Sequence, residues 1–350
     1  MQDINSLNIQ KLNNLLSEAD NIAIVTHMKP DGDALGSSMA MYGFLKSLSK
    51  EMTVVLPHNP PSNLLFLTDE ESRKDIIVNE DRPEDAEKAI GAADLIICLD
   101  FNAFHRADKL EPYLSASKAA KVLIDHHLSP DRESFDITFS ETMVSSASEL
   151  LFHILMAMPQ IDGNADRLDK TALNALMTGM TTDTNNFANS VFPSTLQMAS
   201  ALLAAGADRD MVLCNIYNMF SESRLRLLGH ILKDLMVITE DGVAYIILDS
   251  NALKEYNVIE GDTEGFVNMP LSVKDVRMSI LIKEDKGFAR VSVRSKKGTS
   301  ANRCAKLYFN GGGHENAAGG RLLMPENIND ISEAGQYIER HTHAFFNEDE

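Results

Sequence analysis

The chain has no tryptophan, only three cysteines and no apolar run near the roughly 20 residues that a helix needs to cross a bilayer. Cys98, Cys214 and Cys304 are scattered, so they form no zinc-type pair, and any one disulfide leaves an odd thiol; the reading is a reducing, cytoplasmic setting without a membrane partner. Residues 1–10 also lack the basic-then-apolar order of a secretory leader. Positive charge is scarce: 32 Lys and Arg face 51 Asp and Glu, a formal net charge of -19. That balance excludes a protein that follows long duplex nucleic acid by neutralising many phosphates. A small anionic substrate is still compatible, because cations held in a carboxylate-rich pocket invert the local field.

At 350 residues and 44% hydrophobic content, the expectation is two globular domains sharing a cleft. Residues 1–193 alternate short apolar runs with helical stretches, which predicts an α/β domain with a parallel sheet. The runs are Ile22–Val25, Met52–Leu56, Leu95–Asp100 and Val122–Asp125; helices are expected over Asp33–Leu48, Ser146–Met158 and Asp169–Met180. Residues 194–237 read as helical throughout, a linker in which Ser221 caps a long connecting helix. Residues 238–350 read as a smaller α/β domain, with strands at Val243–Leu248, Val276–Lys283 and Ala289–Arg294 and a helix near Ala301–Tyr308 that precedes a loop at Gly311-Gly312-Gly313.

The chemistry-bearing residues gather at the ends of the apolar runs. Thr26-His27-Met28-Lys29-Pro30-Asp31-Gly32-Asp33 sets an imidazole and two carboxylates on one short loop between a strand and a helix. Asp100 ends another run, Asp125-His126-His127 ends a third, and Asp183 follows Thr181-Thr182. Open parallel sheets place their sites at the strands' C-terminal edge. Taken alone, each Asp is a turn former or helix cap and each His a packed side chain. Together they are several charges that burial would penalise without a cation. Carboxylate oxygens with imidazole nitrogens suit Mn²⁺ or a similar ion better than a thiolate zinc site. Gly311-Gly312-Gly313-His314 lets amides and an imidazole approach an anion, and Arg294 offers a fork for a phosphate; alone, these read as a loop and a solvated strand end.

Asp125-His126-His127, with His27-x-x-x-Asp31-x-Asp33, Asp100 and Asp183 in this order, resembles the DHH phosphoesterase superfamily. Arg294-Ser295 and Gly311-Gly312-Gly313-His314-Glu315-Asn316-Ala317-Ala318-Gly319 resemble the C-terminal substrate domain associated with it. The likeness runs from residue 22 to 319, with the length and domain order of the bifunctional oligoribonuclease and pAp-phosphatase type.

The resemblance implies two divalent ions, Mn²⁺ by expectation, with His27 and Asp31 on one, Asp33 and His126 on the other, and Asp100 and Asp183 contacting both. It implies that Asp125 orients the neighbouring histidines, that His127 faces the scissile phosphate, and that Arg294, Ser295, His314 and the amides of Gly312 and Gly313 hold another phosphate. The implied reaction is two-metal hydrolysis of short RNA to 5′-mononucleotides and of pAp to AMP, by a homodimer whose two domains close on the substrate. A cyclic-dinucleotide phosphodiesterase is the competing enzyme reading, and a non-catalytic nucleotide sensor the competing class. Two departures stand out: Thr184-Asn185-Asn186-Phe187 where Thr-Gly and an aromatic are usual, and Arg303 where an apolar residue is usual.

Overall fold

Ile22 and Ile24 alternate with Ala23 and Val25, and all four are buried, which is the signature of a strand covered by helices on both faces. The computed structural model describes residues 4–259 and 261–347. They divide into two compact units, one ending at Met219 and one beginning at Phe220.

In the first unit the order is α1 (Ser6–Glu18), β1 (Asn21–Thr26), α2 (Gly32–Ser47), β2 (Glu51–Leu56), β3 (Ile76–Val78), α3 (Pro83–Ala92) and β4 (Leu95–Leu99). There follow α4 (Glu111–Ala116), β5 (Ala120–Asp125), β6 (Ile137–Ser140), α5 (Ala147–Ala157), α6 (Lys170–Asp183), α7 (Pro193–Ala204) and α8 (Arg209–Tyr217). The strands form one parallel sheet in the order β3-β2-β1-β4-β5-β6. Ile22 and Ile24 meet the core of α1, α2, α5 and α6, whereas Ala23 and Val25 meet that of α3 and α4. Strand order reverses between β1 and β4, the kind of switch point at which open α/β sheets place their sites.

Helices α2 and α6 cross at a distance only glycine permits. A Cβ on Gly36 would stand 2.7 Å from the Ala175 carbonyl oxygen, and one on Gly32 2.3 Å from Thr182 Cγ2. This contact sets the first turn of α2, with Asp33, beside the last turn of α6, with Asp183.

The second unit contains α9 (Glu222–His230), β7 (Val237–Ile238), β8 (Val243–Leu248), α10 (Ser250–Glu255), β9 (Met278–Asp285), β10 (Phe288–Ser295), α11 (Ala301–Tyr308), β11 (Gly312–His314), β12 (Ala317–Leu323) and α12 (Ala334–Asn347). Its sheet runs β11-β12-β10-β9-β8-β7, with β8 and β9 parallel and every other pair antiparallel. One face packs on α11 and α12, the other on α9, α10 and the turn at Phe266–Ser272.

Three features differ from expectation. β3 and β6, at three and four residues, are too short for their pattern to stand out. The helical stretch 194–237 is three helices, broken at Gly206, where φ is 97°, and again before Ser221; α9 gives way after nine residues to a π-helical turn at Ile231–Leu235. The glycine cluster enters a strand, because β11 pairs with β12. Arg303 is accounted for: its guanidinium lies 5.5 Å from the centre of the Phe345 ring, an attraction an apolar residue would lack.

Candidate metal centre

The parallel sheet delivers its ligand-bearing residues from β1, β4 and β5, the strands at and beside the switch point. Directly after β1, His27 is buried and its Nδ1 donates to the Met28 carbonyl at 2.8 Å, which leaves Nε2 to face the site. Asp31 N-caps α2 by accepting from the amides of Asp33 and Ala34 at 3.0 and 3.1 Å, so it is a cap and a potential ligand at once. Asp100 follows β4 with φ at 63°, a left-handed conformation that Asp tolerates better than most residues, and its amide donates to the Ile124 carbonyl of β5 at 3.0 Å. Asp125, wholly buried at the end of β5, accepts from His127 Nδ1 at 2.7 Å and from the His127 amide at 3.1 Å. Asp183 comes from the last residue of α6 and not from a strand end.

These side chains converge. His27 Nε2 lies 3.3 Å from Asp100 Oδ2 and 3.8 Å from Asp31 Oδ1. His126 Nε2 lies 3.4 Å from Asp100 Oδ1, 3.4 Å from Asp183 Oδ2 and 3.9 Å from Asp33 Oδ2. Three sets, His27/Asp31/Asp100, Asp33/His126/Asp183 and Asp100/His126/His127, each hold their donor atoms within 4.8 Å of one another. Asp100 belongs to two sets and so sits where a bridging carboxylate would.

The electrostatics register a shortage of positive charge. Burial works against protonated His27 and His126, yet the Asp100 carboxylate outweighs it and pushes both up to about 9. Burial, then the Asp100 charge, raises Asp33 to about 7. Asp183 is driven well above the ordinary carboxylate value by burial and by the charges of Asp33, Asp31 and Asp100, and a helix C-terminus is itself a poor place for an anion. For Asp100 burial acts upward, but contacts with His126 and His27 hold it well below its usual range. Asp100 Oδ1 is nonetheless buried with no hydrogen-bond partner. Together, an orphaned carboxylate oxygen, carboxylates crowded enough to resist ionisation and a mixed oxygen and nitrogen donor set fit a divalent cation.

In the second unit, half-buried Arg294 donates through Nη1 within its own sheet, to the carbonyls of Val293 on β10 at 3.0 Å and Ala318 on β12 at 3.3 Å. The Ser295 hydroxyl is enclosed, donating to the Thr299 carbonyl at 2.6 Å and accepting from Asn316 at 3.0 Å. The Gly313 amide donates to Asn302 Oδ1 at 3.0 Å, an engagement that the glycine run did not announce. Gly312 is half-buried and His314 exposed.

Sequence reasoning passed over the groups behind Asp33. Its carboxylate, fully buried, accepts from the amides of Ala147 at 2.5 Å and Ser148 at 2.9 Å in the first turn of α5. Gly179 adjoins this contact: a Cβ there would stand 2.5 Å from Asp33 Oδ1 and 2.0 Å from Ser148 Oγ. The signal was the run Ser145-Ser146-Ala147-Ser148-Glu149, which reads as an ordinary helix start. After Asp183, Asn185, Asn186 and Phe187 all have positive φ, at 45°, 55° and 67°. Asparagine takes the left-handed region more readily than most residues, which explains how the usual glycine is dispensed with.

A doubly wound parallel sheet with carboxylates and imidazoles converging at its switch point defines a metal-dependent α/β hydrolase. The chain belongs to the DHH family of phosphoesterases: the DHH family N-terminal domain matches residues 21–180 and the DHHA1 domain residues 241–338. It is 32% identical over 308 residues, 86% of this chain and 89% of the relative, to a probable bifunctional oligoribonuclease and PAP phosphatase NrnA of Streptococcus mutans. The crystal structure of an exopolyphosphatase-related protein from Bacteroides fragilis shares 37% identity, spans 99% of this chain and 98% of its own, and superposes with a TM-score of 0.91. The cyclic-di-AMP phosphodiesterase GdpP of Geobacillus thermodenitrificans is 26% identical over 96% of this chain but only 49% of its own length. Among the described residues no helix is long and apolar enough to cross a membrane.

Proposed function

We propose that the chain hydrolyses short oligoribonucleotides to 5′-mononucleotides and pAp to AMP, using two divalent ions, Mn²⁺ by preference. The observation that carries this reading is the position of Asp100, whose two carboxylate oxygens face His27 on one side and His126 on the other. His27 and Asp31 would hold one ion, Asp33 and His126 the other, with Asp100 and Asp183 shared. Such a pair supplies Lewis acidity toward phosphoryl oxygens and makes water acidic enough to serve as a nucleophile near neutral pH.

The remaining steps belong to the protein's own groups. The Met28 carbonyl and the Asp125 carboxylate fix the Nδ1–H tautomers of His27 and His127, so each presents Nε2. His127 would then hydrogen-bond a phosphoryl oxygen or pass a proton to the departing sugar oxygen, stabilised by Asp125 as it becomes charged. In the second unit, Arg294 keeps Nε and Nη2 for a phosphate; Gly312 and His314 add donors, with Ser295 and Gly313 shaping the strand ends beneath them. A grip on a second phosphate favours substrates of a few nucleotides and also admits pAp. The name of the Streptococcus mutans relative supports this choice. The likeness to GdpP supports the cyclic-dinucleotide alternative.

Release of nucleotide and phosphate from short RNA, pAp, linear pApA and cyclic di-AMP, each with and without Mn²⁺, tests it. Metal-dependent turnover of short RNA and pAp is expected. A marked preference for the cyclic substrate transfers the assignment to the alternative, and binding without any metal-dependent product makes the chain a sensor.

A further inference from the structure

Glu149 is wholly buried, belongs to none of the ligand sets and has no role in the chemistry above. A carboxylate out of water needs compensating donors, and those of Glu149 are unevenly placed. Oε2 accepts from the Ser145 hydroxyl at 2.5 Å, the Ser145 amide at 2.9 Å and the Thr195 hydroxyl of α7 at 2.6 Å. Oε1 has no hydrogen-bond partner and lies 3.7 Å from His153 Nε2.

Ser146 caps α5 by accepting from the Glu149 amide at 2.9 Å, and Glu149 stands three residues after that cap. An ordinary capping box would turn the Glu side chain back to the amide of the cap residue itself. Here it reaches one residue further, to Ser145, and anchors the backbone before the helix as well as the first turn. The amides of that turn, Ala147 and Ser148, are the pair that grip Asp33. Hydrogen bonds from Thr195 of α7 and from Ser145 to Glu149, the intervening backbone of residues 145–148, and the Ala147 and Ser148 amides therefore connect α7 to the Asp33 carboxylate.

We propose that Glu149 is a positioning residue for Asp33: by clamping residues 145–148 it holds the Ala147 and Ser148 amides in the one arrangement that presents the Asp33 carboxylate for metal binding. The inference rests on the metal reading of the site given above. It concerns one ligand set, Asp33/His126/Asp183, and leaves His27/Asp31/Asp100 without such a support.

The test is Mn²⁺ titration of the full-length chain, followed by the electron paramagnetic resonance of free Mn²⁺, for the parent, Glu149→Gln and Ser145→Ala, with circular dichroism to establish folding. The expected result is two classes of site in the parent and a loss of about tenfold in affinity in one class only, as removal of a group that orients a ligand produces. Loosening of the fold as a whole would weaken both classes together. Parent-like affinities in both classes, or equal losses in both, would overturn the inference while leaving the metal reading intact. A parent that binds no Mn²⁺ overturns both. Should Glu149→Gln fail to fold, Ser145→Ala, which removes one hydroxyl and keeps the charge, decides by the same criteria.

Discussion

The two regions that the sequence marks for phosphate chemistry are built on opposite plans. In the first unit the acidic and imidazole groups are largely withdrawn from water, held at strand ends and helix termini by backbone hydrogen bonds, and charged against one another. In the second, the glycine strand and His314 are half-buried or exposed, and Arg294 rests on carbonyls of its own sheet. The first arrangement stores electrostatic tension that a cation relieves; the second stores little, and its donors can adapt to a ligand. On the proposed assignment, groups that must be correct before the substrate arrives are fixed by the fold, whereas groups assigned to substrate recognition are only presented by it.

The difference breaks most severely at Asp100. Asp100→Asn keeps the shape and removes the shared charge, so turnover should fall on the order of 10³-fold, as expected for loss of a principal electrostatic group. Mn²⁺ binding should weaken with it, and KM should change little. Retention of parent-like turnover would deny that the two ligand sets act together.

Metal removal gives the next largest effect, and its pH dependence follows from the shifts. His27 and His126, pushed from 6.5 up to about 9, contribute stability that is fully present below pH 6.5 and is lost as the pH rises through about 9. Asp33, raised from 3.8 to about 7, acts in the same direction, because the unfolded chain ionises it first. The metal-free protein should therefore lose thermal stability from about pH 6 to pH 9. A fixed Mn²⁺ concentration, about 100 times its Kd near neutral pH, should add about 2.7 kcal/mol there, with the increment growing as the pH rises because the ions displace those protons and Kd falls. Thermal melts at several pH values check this, and an increment that shrinks with pH contradicts the assigned ligands.

The two plans also differ in legibility. His27, Asp31, Asp100 and Asp125-His126-His127 could be found because a parallel sheet delivers strand ends to one edge, and because Asp and His at the ends of apolar runs are costly unless used. Asp183 was visible as a residue type, but its delivery by a helix depends on the α2–α6 crossing, which the sequence shows only as glycines at helical spacing. Glu149 and Gly179 lay hidden because each acts through another group, across 114 positions of sequence in the case of Asp33 and the Ala147 amide. In the second unit, the helix at Ala301–Tyr308 is where its pattern predicts it, yet nothing in a glycine run reveals that the Gly313 amide is taken by Asn302.

Glycines sharpen the contrast at a smaller scale. A Cβ on Gly179 would stand 2.0 Å from Ser148 Oγ and 2.5 Å from Asp33 Oδ1, between groups that the fold cannot easily move. Gly179→Ala should destabilise by about 2 kcal/mol, in the range of overpacked cores, and weaken Mn²⁺ binding. A Cβ on Gly312 meets nothing nearer than 3.4 Å, the Asn302 Oδ1 atom and the Lys306 stem. Gly312→Ala should accordingly change stability by less than about 0.5 kcal/mol. Denaturant melts of the two variants side by side measure the gap, and equal losses would mean that the second region is as tightly fixed as the first.

Arg294 gives a smaller effect than Gly179 and the cleanest separation of the two roles. Its guanidinium is held by two carbonyls through Nη1 alone, and burial lowers its pKa from the usual value without threatening its charge. Arg294→Ala should raise KM for pAp about tenfold, a loss of about 1.4 kcal/mol of uniform binding, with kcat largely retained. Arg294→Lys should recover little, because a point charge on a flexible stem does not reproduce a planar fork. Mn²⁺ titration of both variants should match the parent, since Arg294 belongs to none of the three ligand sets. If kcat falls as far as KM rises, Arg294 acts on the transition state, and the division between a fixed catalytic region and an adaptable recognition region does not hold.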